Sequence, residues 1–186
     1  MRELGFEFCE FDELPGFMPE KKEHIFPAAV KYYRKAREEQ NDETMNYFIS
    51  FFEHKGLDEV VSMLIEDYIN ERTSDATRYF IADCLYTIEA GGYVKEYVGA
   101  VSNPALGSSR QKLIALLGKI KDESVIPTLV KLLEDETVRA HTLAALSGYR
   151  KEELRPHFER FKNDEHPGVR KCALDALEKL SEYSSK

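Results

Sequence analysis

The chain has 186 residues, 42% apolar and 32% charged, with a formal net charge of -8, which suits one compact domain or a short array of repeats sharing a core. No stretch approaches the roughly 20 apolar residues that cross a bilayer, and the N-terminus lacks the basic-then-apolar order of a secretory signal, so a cytoplasmic protein is expected. Cys9, Cys84 and Cys172 lie far apart, without zinc-type or disulfide-type spacing, and read as reduced thiols.

Over residues 1–26, Phe6, Phe8, Phe11, Leu14 and Phe17 alternate with acids and then meet Pro15 and Pro19; an irregular segment capping the first helices is expected there. Beyond it, apolar residues recur at spacings of three and four, as in Met45, Phe48, Ile49 and Phe52, or Leu57, Val60, Val61, Leu64 and Tyr68. That periodicity is helical. Stops and caps at Asn41-Asp42, Lys55-Gly56, Thr73-Ser74-Asp75, Gly91-Gly92, Asn103-Pro104, Asp122, Asp135 and Asn163-Asp164 divide the chain into helix pairs. The predicted pairs are 27–40 with 42–54, 57–72 with 76–90, 93–102 with 107–121, 124–134 with 136–149, and 151–163 with 167–182. Charge is unevenly spread: residues 1–106 carry 11 Lys plus Arg against 21 Asp plus Glu, and residues 107–186 carry 15 against 13. The acidic part repels nucleic acid and attracts basic partners.

Four arginines, Arg78, Arg110, Arg139 and Arg170, stand 32, 29 and 31 residues apart, and the residues after them agree. Three places on are Ile81, Leu113, Thr142 and Ala173; six on, Cys84, Leu116, Ala145 and Ala176; seven on, Leu85, Leu117, Leu146 and Leu177; ten on, Ile88, Ile120, Tyr149 and Leu180. Offsets of 3, 6, 7 and 10 form one helical face.

Thr137-Val138-Arg139 followed by Leu143-Ala144-Ala145-Leu146, and Pro167-Gly168-Val169-Arg170 followed by Ala173-Leu174-Asp175-Ala176-Leu177, resemble the second helix of a HEAT repeat, and Ile126-Pro127 through Glu134-Asp135 resembles the first. The resemblance is clear over 107–182 and more divergent over 27–106, with Thr77, Ser109 and Thr142 replacing apolar residues. It implies an all-α fold, a short right-handed α-solenoid of about five antiparallel helix pairs in a single domain, because one pair cannot bury its apolar stripe alone. It also implies that Arg78, Arg110, Arg139 and Arg170 form a structural ladder with acids between adjacent repeats, and that the second helices line a concave binding face.

On that face the side opposite the core falls at offsets 1, 5 and 8. These are Tyr79, Asp83 and Tyr86; Gln111, Ala115 and Gly118; Ala140, Ala144 and Ser147; and Lys171, Asp175 and Glu178. A bare floor at Ala140, Ala144 and Ser147, between a tyrosine end and a charged end, is the expected partner-binding surface.

No phosphate-binding glycine loop, nucleophile elbow or His-Glu-x-x-His helix occurs, and the five histidines specify no metal, so neither catalysis nor a cofactor is expected. His141, His157 and His166 are the histidines that adjacent helices bring towards one another. The expected role is protein interaction or scaffolding, including inhibition of a basic partner. The alternative is a nucleic-acid binder of the alkylpurine DNA glycosylase type, resting on Lys112, Lys119, Arg139, Arg170 and Lys171.

Overall fold

The computed structural model describes the backbone of residues 18–184 and the side chains of residues 26–182. Among these residues it contains ten α-helices and no strand. They are α1 (Met18–Glu38), α2 (Asp42–Phe51), α3 (Val61–Ile69), α4 (Asp75–Ile88), α5 (Val94–Val101), α6 (Arg110–Ile120), α7 (Ile126–Leu132), α8 (Arg139–Ser147), α9 (Arg155–Glu159) and α10 (Pro167–Ser184). Each odd-numbered helix packs on the following even-numbered one, giving the five expected pairs.

The irregular segment expected over 1–26 is corrected in part: the chain is helical from Met18 onward, and residues 1–17 lie outside the described residues. Pro19 and Pro27 both lie within the described span of α1, so neither stops this helix. The side chains of Asn41 and Ser74 cap α2 and α4 by accepting from the N–H of Thr44 and Thr77. At the other end, α4, α6 and α8 are each followed by a left-handed residue, Glu89, Lys121 and Arg150, in each case eleven places after the repeat arginine.

The second helices α2, α4, α6, α8 and α10 pack each on the next, while α5, α7 and α9 barely touch one another. A stack held together on one side curves towards that side, so the second helices form the inner layer. Their buried face takes in most of the one the periodicity selects, with Ile120, Tyr149 and Leu177 only half-buried and offset 4 (Ala82, Ile114 and Leu143) buried as well. Ile81, Cys84, Leu85, Ile88, Leu113, Leu116, Leu117, Thr142, Ala145, Leu146, Ala173, Ala176 and Leu180 are all buried. The same pattern extends to α2, where Met45 takes the arginine's place and Phe48, Phe51 and Phe52 fill offsets 3, 6 and 7.

The core hydroxyls of Ser109 and Thr142 find partners close by, whereas that of Tyr97, fully buried, has none among the described residues. The hydroxyl of Ser109 donates to the Leu106 carbonyl at 2.6 Å and lies 3.0 Å from the Tyr68 hydroxyl of the preceding pair, while Thr142 donates to the Val138 carbonyl at 3.0 Å. Burial pushes the Tyr68 phenol up to about 12, which keeps it a hydrogen-bonding hydroxyl at neutral pH.

Candidate functional site

The four arginines start from one task, holding the end of a first helix in their own repeat. Arg78 donates to the carbonyls of Tyr68 (3.1 Å) and Asn70 (2.8 Å), Arg110 to that of Val101 (3.2 Å), Arg139 to that of Leu133 (2.8 Å) and Arg170 to that of Asp164 (2.6 Å). Apart from that of Asn70, which also accepts from the Thr73 N–H at 3.1 Å, these are carbonyls a helix or its following turn leaves unbonded, and a planar fork of donors suits them.

The expected ladder is corrected to a single rung. Arg110 reaches Asp135 of the next repeat at 2.7 Å, while Arg78 pairs at 2.8 Å with Asp75 of its own. Asp135 stands four places before the next arginine; Leu106 and His166 hold that place where Arg78 and Arg139 would need an acid, and no repeat follows Arg170 among the described residues. Burial alone would raise the Asp135 carboxyl, but the hydrogen bonds from Arg110 and from the Thr137 N–H outweigh it and hold it below the usual range.

Between neighbouring second helices a second register repeats. The residue at offset 8 meets the residue at offset 9 of the next helix: the Thr87 hydroxyl donates to Glu53 at 3.0 Å, the Lys119 ammonium lies 4.6 Å from the Tyr86 ring centre, and the Lys179 ammonium lies 3.5 Å from the Ser147 hydroxyl. At the remaining junction these places hold Gly118 and Gly148, close enough that a side-chain carbon on Gly148 would stand against the Gly118 carbonyl oxygen.

This register corrects the outward set. Offsets 1 and 8 are turned towards the next helix pair. Tyr86 is half-buried, with Lys112 as well as Lys119 4.6 Å from its ring centre. Gln111 donates to the Thr137 carbonyl at 2.8 Å, the Tyr79 hydroxyl bonds that of Ser108, and Ala140 is half-buried. Gly118 lies against Ala145, and Ser147 is buried with its hydroxyl on the Ala144 carbonyl at 2.8 Å. The small residues of α6 and α8 therefore serve close helix packing, and only Ala144 of the predicted floor is bare.

What stays exposed or half-exposed on the inner layer is a stripe at offsets 2 and 5, in which Lys112, Ala115 and Cys172 are half-buried. It runs from Phe80 and Asp83 through Lys112 and Ala115 to His141 and Ala144, and ends at Cys172 and Asp175 beside Lys171. Phe80, 46% exposed next to Tyr79 at 42%, is an apolar anchor the sequence reading missed, because offset 2 lies beside the expected outward face and not within it. Lys112 pairs with Asp83 at 2.6 Å and Lys119 with Glu89 at 2.9 Å, so the middle of the stripe is close to neutral. Partial desolvation lowers the pKa of His141, which favours the neutral ring there at physiological pH.

Two clefts open at the N-terminal ends of the second helices. One, of about 410 Å³, lies between the first two pairs and is lined by Arg34, Arg37, Asp42, Asp67 and Arg72. Its wall holds a buried constellation absent from the sequence reading: Asp67 accepts from the Tyr33 hydroxyl at 2.7 Å and from Arg37 at 2.6 Å. Burial raises the Asp67 carboxyl despite both partners. The other cleft, of about 520 Å³, lies between α8 and α10 and continues the stripe from Ala140 and His141 to Asp164, Glu165 and His166. His141 and His166 border this cleft and His157 does not. Among the described residues no group of three or more His, Cys, Asp or Glu is arranged to hold a metal ion. Nor is any described helix long and apolar enough to cross a membrane.

Comparison with known families matches residues 102–178 to a model described as HEAT repeats. No curated protein matches the chain.

Proposed function

Because residues 102–178 match HEAT repeats, we propose that the chain is a protein-interaction module holding a partner protein against the open stripe of its second helices. The observation that carries this reading is the exposed aromatic pair Tyr79 and Phe80 on α4, in line with the bare Ala144 and the cleft beyond it. Exposed aromatic side chains flanked by small and neutralised groups are the composition of an interface centre. Lys112 and Lys119 are tied to acids, which favours a protein partner over a phosphate backbone. Much of the acidic excess lies off the stripe, at residues such as Glu59, Glu66, Glu71 and Glu96, where it steers a basic partner without touching it. An inhibitor of a basic protein is one form of this role.

The test is capture of the partner by cross-linking on the full chain, followed by affinity and melting measurements on Phe80→Ala and Ala144→Arg. Both side chains are exposed, so melting should barely move while binding weakens by about 1–2 kcal/mol each, roughly 5- to 30-fold. Unchanged affinity in both variants would place the partner elsewhere.

A further inference from the structure

Leu174 is 49% exposed, whereas the residues at its place in α4, α6 and α8, namely Ala82, Ile114 and Leu143, are fully buried. The difference follows from the stacking register. Offsets 1, 4 and 8 of a second helix face the next pair, as the contacts of Tyr79 with Ser108, Gln111 with Thr137, Tyr86 with Lys119 and Gly118 with Ala145 show. On α10 those offsets are Lys171, Leu174 and Glu178, and no helix pair follows among the described residues. All three are exposed, and neither Lys171 nor Glu178 has an ion-pair partner among the described residues.

The row reads cation, apolar residue, anion along one helical face. That order is complementary to itself under a two-fold rotation. When two such helices lie antiparallel with their Leu174 side chains in contact, Lys171 of each helix stands opposite Glu178 of the other, because the lysine lies three residues before the leucine and the glutamate four after it. We propose that the chain associates with a second copy of itself through an antiparallel α10 contact, in which Leu174 supplies the apolar centre and two Lys171–Glu178 pairs set the alignment. A partner presenting the same row is the occupant whose charges match at both ends. One helical face buries less than the roughly 1,200 Å² of a strong interface, so the dimer is weak.

Sedimentation equilibrium of the full chain, from about 1 µM to about 1 mM, measures this directly. The wild-type chain is expected to pass from monomer to dimer within that range. Leu174→Glu and Lys171→Glu should each weaken the dimer by about 10-fold or more. Combining Lys171→Glu with Glu178→Lys exchanges the two signs within each copy and should restore association. Melting temperatures of all variants should match the wild type, since the three side chains are exposed. A chain that stays monomeric throughout, a dimer that Leu174→Glu leaves intact, a double exchange that fails to restore it, or growth beyond the dimer would each overturn the proposal.

Discussion

Gly118 and Gly148 meet across the junction of α6 and α8: a side-chain carbon on Gly148 would stand 3.3 Å from the Gly118 carbonyl oxygen, and one on Gly118 would stand 2.7 Å from Cα of Ala145. The second contact is with backbone, so no rotamer change relieves it. Gly118→Ala is expected to force the two helices apart and to destabilise by about 1–3 kcal/mol, although alanine is the better helix former. Chemical denaturation checks this; a more stable variant would show that the junction yields freely.

Asp135 links pH to stability through its rung with Arg110, whose side chain is only 2% exposed. Its folded pKa is depressed, so the stabilisation is present above the unfolded value of about 3.9 and is lost as pH falls through the folded value. Asp135→Asn should cost about 1–3 kcal/mol at pH 7, since it removes the charge beside a buried guanidinium. The gap between variant and wild type should narrow as pH drops towards 3. A gap that stays constant with pH would mean that the rung does not carry the effect.

Lys121 is exposed and follows α6 in a left-handed conformation, φ 61°. A side chain there costs about 1 kcal/mol that glycine avoids. Lys121→Gly should therefore raise stability by about 0.5–1 kcal/mol, measurable as an upward shift of the melting temperature. The same exchange at Arg139, the first residue of α8 and bonded to the Leu133 carbonyl, should lower it.

Tyr33 donates to Asp67 across the first two helix pairs, and both side chains are buried. Tyr33→Phe removes one hydrogen bond to a raised carboxyl and should cost about 1–2 kcal/mol. Urea titration is the measurement, and a neutral result would mean that water replaces the hydroxyl.

The helix pairs and their core faces were legible because burial leaves an imprint at offsets 3, 6, 7 and 10 that survives substitutions such as Thr142, whose hydroxyl bonds its own helix. The open stripe was less legible. Periodicity identifies the side opposite a helix's own core, but the coverage of the flanks depends on how the next helix is offset, and that shift turned Tyr86, Gln111 and Ser147 inward while leaving Phe80 outside. The ladder needed a register as well: an acid near the arginine is not enough unless it stands four places before the next one, as Asp135 alone does. Asp67 gave no signal, because its partners Tyr33 and Arg37 lie some thirty residues away.

The uneven contact between the two layers has a mechanical consequence. The inner helices are in continuous contact, whereas α5, α7 and α9 are nearly independent of one another. Bending about an axis through the inner layer therefore changes the spacing of the outer helices with little loss of packing, while twisting or shearing the inner layer must break the contacts at every junction. The stack is compliant in curvature and stiff in register. A ligand gripping the open stripe would alter the radius of the molecule without disturbing the order in which its helices meet.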